Sequence, residues 1–206
     1  MNTKISNTNI TVGETIERYK ALRRDVAGNT LRELYQAAHL WTRNGSHIKL
    51  DTYFQLLLST EIMLDNTAED LHIFGGKDIV AFLETFDGAF FGCCERICRN
   101  NGRVRIVAQV FNAEAEEIVL KELKRLADKL RATYSGIRLK ALITTSDISD
   151  KIGYYAVFDG RALISEKPRE SYSLYSPGNS IDALLIPRDP SLAEDHVEAI
   201  ERYFQK

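Results

Sequence analysis

The residues of this 206-residue chain whose types could do chemistry are its histidines, its cysteines and a run of arginines. His39, His47, His72 and His196 are isolated from one another, so no pair has metal-ligand or acid–base spacing, and each is expected to be a structural histidine. Cys93, Cys94 and Cys98 lie close together in an apolar segment, with Cys94 and Cys98 one helical turn apart. A zinc site needs a second ligand cluster, and no Cys or His pair supplies one. The cysteines are therefore expected to be small buried hydrophobes, free as in a reducing compartment. No metal and no cofactor is expected.

Nucleophile and phosphate motifs are also missing. There is no G-x-S-x-G elbow, no G-x-x-x-x-G-K-[ST] and no G-x-G-x-x-G. Gly75-Gly76 follows a strand-like run and precedes a helical one, the right place for an anion at a helix start, though a tight turn explains it as well. Arg96, Arg99, Arg103 and Arg105 bracket Asn100-Asn101-Gly102. Arginine contacts phosphate bidentately, so Arg99, Arg103 and Arg105 are the candidate anion contacts. Their alternative role is to satisfy carbonyls at a helix end.

The elements that must position these residues follow from periodicity. Val12–Ala27 reads as a helix stopped by Gly28-Asn29, and Thr30 with Glu33 caps a second that closes at Asn44-Gly45. Asp51 reads as the N-cap of a third helix with Phe54, Leu57, Leu58 and Ile62 on its faces. Leu71–Phe74, Val104–Val110 and Ile137–Ile143 read as strands. A long helix from Ile79 to Cys98 and one carrying Val119, Leu123, Leu126 and Leu130 lie between them. Two strand–helix–strand crossovers imply parallel neighbours. Asp159-Gly160 is a hairpin signal between Tyr154–Phe158 and Ala162–Ser165. Ile181–Ile186 is a further strand, and Asp189-Pro190 starts the last helix. The expected fold is α/β: a mixed sheet with parallel core strands and an antiparallel hairpin, helices on both faces, and extra N-terminal helices. Residues 1–49 form the helical segment and residues 50–206 the α/β domain.

From about Leu50 onward this order resembles the phospholipase D-like domain. The segment GYYAVFDGRALIS resembles the hairpin that carries that family's His-x-Lys-(x)4-Asp motif, with Asp159-Gly160 as its Asp and turn Gly. Counting back places Ile152 at the histidine position and Tyr154 at the lysine position. A shorter spacing places Tyr154 at the histidine position, and neither register supplies an imidazole. The family mechanism forms a covalent phosphohistidine, which Ile and Tyr cannot do. The resemblance therefore implies the topology without the activity, and no catalytic residue is assigned.

The expected function is a non-catalytic interaction or regulatory module, for instance a subunit of a bacterial defence or mobile-element assembly. The alternatives are a phosphodiester-processing enzyme with a variant site, and a domain sensing a small ligand. Binding residues would be Gly75, Gly76, Tyr154, Asp159, Arg99, Arg103 and Arg105. The partner is expected to be another protein or a second copy in a homodimer. With 27 basic and 29 acidic residues the net charge is −2, so nucleic acid is not the favoured partner. No window approaches the roughly 20 apolar residues of a membrane span, and the polar start lacks a secretory leader. A cytoplasmic protein with no membrane partner is expected.

Overall fold

Strands that are apolar on both faces need cover on both faces, and the sheet is built to receive it. The structure is a computed structural model that describes residues 12–25, 47–76, 79–110, 113–133, 139–144, 154–166 and 180–205. In chain order these residues form α1 (Val12–Asp25), β1 (Ile48–Thr52), α2 (Tyr53–Asn66), β2 (Asp70–Gly75), α3 (Ile79–Thr85) and α4 (Asp87–Arg99). There follow β3 (Arg103–Gln109), α5 (Ala113–Thr133), β4 (Leu139–Thr144), β5 (Tyr155–Phe158), β6 (Ala162–Glu166) and β7 (Ser180–Ile186). Helix α6 (Pro190–Glu201) and a 3-10 turn (Arg202–Phe204) close the sequence. The second expected helix, from Thr30 to Asn44, lies outside the described residues.

Seven strands form one sheet in the order β1-β7-β6-β5-β2-β3-β4. The β2, β3 and β4 strands are parallel, as the two crossovers require, and the other neighbours are antiparallel. Period-2 alternation sorts the side chains. Leu71, Ile73, Val104, Ile106, Ala156 and Ile164 face one large core that also takes Ile16, Tyr19, Leu57, Phe82, Phe90 and Leu123 from α1 to α5. Phe74, Val107, Tyr155, Val157 and Leu163 face a smaller core closed by Ala193 and Ile200 of α6. Cys93 and Cys94 are fully buried in the large core and Cys98 is half-buried, none of them in a disulfide, and burial pushes the Cys93 thiol up to about 12. Asp189 caps α6 by accepting from Leu192 N–H (3.0 Å), with Pro190 at the first helical position.

Two local expectations are corrected and one strand is added. The cap of α2 is Thr52, not Asp51: Thr52 Oγ1 accepts from Gln55 N–H (3.2 Å), and Gln55 Oε1 accepts from Thr52 N–H (3.1 Å). Asp51 is instead a residue of β1, a strand whose sequence IKLDT shows little apolar signal and which forms by pairing with β7. The long helix expected from Ile79 to Cys98 is two helices. At Phe86 the backbone leaves helical geometry (φ −95°, ψ 2°) before the poor helix formers Asp87 and Gly88. Phe82 and Phe86 pack edge to face, with ring centroids 5.0 Å apart.

Candidate functional site

The two ends of the β2/β3 pair carry different chemistry, and the expected site residues are divided between them. Gly75, Gly76 and Tyr154 stand at the C-terminal end of β2, where Phe74 pairs with Tyr155. Asp159, Arg99, Arg103 and Arg105 stand at its N-terminal end, where Leu71 pairs with Phe158.

Asp159 and Gly160 both have positive φ (50° and 60°), as a type I′ turn demands. Arg161 N–H donates to the Phe158 carbonyl (3.2 Å) to close the turn, and pairing resumes at Ala162. The buried Asp159 carboxylate reaches back to the connector between α2 and β2. Its Oδ1 accepts from the backbone N–H groups of Ala68 (3.1 Å), Glu69 (2.7 Å) and Asp70 (3.2 Å). Its Oδ2 faces Arg161 at 3.4 Å. Carbonyls at the end of α2 and in the connector are satisfied from the end of α4: Arg96 donates to those of Leu64 and Thr67, and Asn100 Nδ2 donates to that of Ala68 (2.9 Å). Asp159 therefore organises a backbone segment.

Each arginine already has acceptors. Arg99 is exposed and pairs with Glu95 one helical turn before it. Arg103 donates to Asp70 (3.3 Å), and Arg105 is only 12% exposed with its guanidinium 5.4 Å from the ring centre of Phe204. The register pairs Asp70 with Arg103 and His72 with Arg105, so these four side chains form two adjacent rows on the α6 face. Glu201, the last residue of α6, enters between them. Its Oε1 lies 3.1 Å from His72 Nε2, 3.3 Å from Arg105 Nε and 3.6 Å from Arg103 Nη1. Burial drives the Glu201 carboxyl upward, but the His72 hydrogen bond and the Arg105 and Arg103 charges outweigh it and hold it below the usual range. His72 is buried, which lowers its pKa, so Nε2 carries the proton it donates to Glu201. Its Nδ1 has no hydrogen-bond partner.

The opposite end is drier. Gly76 accepts Ile79 N–H on its carbonyl (3.1 Å) at the start of the seven-residue α3. Tyr154 packs edge-on against Phe82 (4.9 Å) and faces Glu166 across the hairpin, where Glu166 N–H donates to the Tyr154 carbonyl (2.7 Å). Glu166 is buried, as is Glu61 of α2, whose carboxylate accepts from the hydroxyl of Tyr19 on α1. Burial, reinforced by the charge of Asp65, pushes Glu61 up to about 7. A carboxyl whose folded pKa is raised loses stability as pH climbs from the unfolded value, near 4.3, through 7. Glu61→Gln keeps an acceptor for Tyr19 and removes the ionisation. It is expected to raise Tm at pH 8, by a stabilisation on the order of 2 kcal/mol, and to leave Tm nearly unchanged near pH 3.5, below both pKa values. Equal effects at both pH values in thermal denaturation would refute this.

His72, Glu201, Asp70, Glu61 and Glu166 were not among the sequence candidates. The signal for His72 and Asp70 was available in part: Arg103-x-Arg105 and Asp70-x-His72 each put two polar side chains on one face of a strand. Ile152, at the family's histidine position, lies outside the described residues. Among the described residues no group of His, Cys, Asp and Glu could hold a metal ion, and no helix is long and apolar enough to cross a membrane.

No protein-family model and no curated protein sequence matches the chain. Solved structures do share its fold. TrmBL2, an archaeal chromatin protein described as showing a novel mode of DNA binding, is 15% identical and superposes over 92% of this chain with a TM-score of 0.51. The chain spans 63% of the length of that protein. Structural neighbours also include Nuc of Salmonella typhimurium, a phospholipase D family member (14% identity, 78% of this chain and 95% of that one, TM-score 0.44). Phosphatidylserine synthase of Haemophilus influenzae is another (12% identity, 78% of this chain and 38% of that one, TM-score 0.45).

Proposed function

We propose that this chain is a non-catalytic interaction or regulatory module that acts on another protein or on a second copy of itself. What supports the reading most is the placement of Asp159. In the phospholipase D-like hairpin that the sequence resembles, this aspartate closes the catalytic motif. Here its carboxylate receives three backbone N–H groups at the end of β2 away from Tyr154. Tyr154 itself is packed among core aromatics and is a poor nucleophile toward phosphorus compared with an imidazole. A structural demand thus accounts for the part of the motif that remains.

The same logic bears on nucleic acid. TrmBL2 is described as binding DNA, but in this chain Arg96, Arg99 and Arg103 are engaged with carbonyls or carboxylates of the chain itself. Weak or absent DNA binding by the isolated chain is expected. The deciding experiment assays purified protein with a chromogenic phosphodiester and with plasmid DNA, alongside affinity purification from native cells with mass spectrometry. No turnover above the blank and recovery of a stoichiometric partner or self-assembly are expected. Turnover that disappears in Tyr154→Phe would overturn the reading.

A further inference from the structure

The turn between α4 and β3 sets an electrophile and a nucleophile on neighbouring residues. Asn100 ends the helix, Asn101 follows in left-handed backbone (φ 58°), and Gly102 leads into β3. Asn101 N–H donates to the Cys98 carbonyl (3.1 Å) and Gly102 N–H to the Ile97 carbonyl (2.9 Å). These are the two bonds of a Schellman ending, whose left-handed position Gly fills most often and Asn next. Asn101 is exposed, and Gly102 has no side chain to hold its nitrogen off the Asn101 side-chain carbonyl. We propose that Asn101 is a modification site at which the chain acts on itself: the Gly102 nitrogen converts it to aspartate or isoaspartate, and the folded turn withholds the reaction until the α4–β3 end opens.

The step balances with water as the only co-reactant. The Gly102 nitrogen gives its proton to hydroxide and attacks the Asn101 side-chain carbonyl carbon. A C–N bond forms, the bond to Nδ2 breaks, and ammonia leaves behind a cyclic imide. Water then opens one of the two imide carbonyls. Opening at the side-chain carbonyl gives isoaspartate's isomer, aspartate. Opening at the main-chain carbonyl gives isoaspartate, whose main chain runs through an extra methylene.

Two contacts put this chemistry under the control of the fold. The attacking nitrogen is held in its hydrogen bond to Ile97, and ring closure needs a rotation about the Asn101 Cα–C bond that breaks it. That rotation also moves Gly102, which has no room on the side of the connector: a Cβ there would fall 1.5 Å from the Glu69 carbonyl oxygen. The connector cannot yield, because Asp159 holds Glu69 N–H (2.7 Å) and Asn100 holds the Ala68 carbonyl (2.9 Å). The reaction waits for turn and connector to part. Its isoaspartate product lengthens the chain just before Arg103, whose N–H is fixed on Asp70 (2.7 Å), so an interaction module would carry an irreversible change at this end of β3.

Peptide mapping by mass spectrometry tests the proposal by following Asn101 in the purified chain at neutral pH, folded and in guanidinium chloride. Conversion in the folded chain is expected to be at least about tenfold slower than in the unfolded one. Asn100→Ala removes a tie between turn and connector, and should convert about fivefold faster than wild type when folded, each protein being normalised to its own unfolded rate. Hydrogen exchange at Gly102 N–H gives a measure on wild type alone. The same opening frees that N–H, so its protection should be of the same order as that of Asn101. Equal rates in the folded and unfolded chain, no conversion in the unfolded chain, or a folded Asn100→Ala that keeps the wild-type protection overturns the proposal. Should Asn100→Ala fail to fold, the Gly102 comparison decides: a Gly102 N–H exchanging freely while Asn101 stays protected, or the reverse, overturns it.

Discussion

Asp159→Ala is expected to destabilise the protein by about 3 kcal/mol, a large fraction of the roughly 5–15 kcal/mol that holds a domain folded. The substitution removes the common acceptor of three backbone N–H groups, at Ala68, Glu69 and Asp70. Ala68 and Asp70 are partly buried, so water cannot replace the carboxylate freely at those donors. The turn adds a second cost: Asp159 has φ 50°, a left-handed conformation that alanine adopts less readily than Asp or Asn. Asp159→Asn separates the two effects. It keeps a side-chain oxygen and tolerates positive φ, while losing the charge that strengthens the three hydrogen bonds, so a loss of about 1 kcal/mol is expected. Urea denaturation of the two variants checks the ranking. An alanine variant as stable as the asparagine one would show that the connector is held by other contacts.

How much of this was legible in the sequence varies with the range of the interaction. The parallel core was readable because Val104–Val110 is apolar apart from Arg105 and Gln109 and the Val119, Leu123, Leu126, Leu130 stripe separates it from the next strand. Those signals are local. Strand β1 was not readable, because IKLDT has two apolar residues and becomes a strand only by pairing with β7. The cap at Thr52 was displaced by one residue because Asp51 and Thr52 are both good caps, and only the Gln55 side chain decides between them. The hairpin turn was readable from Asp159-Gly160, but the carboxylate's target was not: its N–H partners lie 89 to 91 residues away and are backbone groups that no sequence pattern marks. Arg103 and Arg105 were legible as a basic pair. Their convergence with His72 on Glu201 depends on where α6 ends over the sheet, which periodicity does not fix.

Gly102→Ala is expected to have the larger effect of the two substitutions, more than about 3 kcal/mol and enough to lower the yield of folded protein. An added Cβ at Gly102 would fall 1.5 Å from the Glu69 carbonyl oxygen and 2.7 Å from its carbon, well inside contact distance. The obstacle is backbone, so no rotamer change relieves it. The connector would have to move, yet Glu69 N–H is held by Asp159 (2.7 Å) and the Ala68 carbonyl by Asn100 (2.9 Å). Gly102 N–H in turn donates to the Ile97 carbonyl (2.9 Å), which ties the glycine to the end of α4. Gly76→Ala is the matched control: a Cβ there meets nothing within 4 Å, and a change of less than about 0.5 kcal/mol is expected. The two disruptive substitutions strain the same segment, so their effects should not add. Once Asp159→Ala has released Glu69, the connector can retreat from a Cβ at position 102, and the double variant should be more stable than the sum of the two losses allows. Strict additivity in a double-mutant cycle would show that Asp159 and Gly102 act on the fold independently.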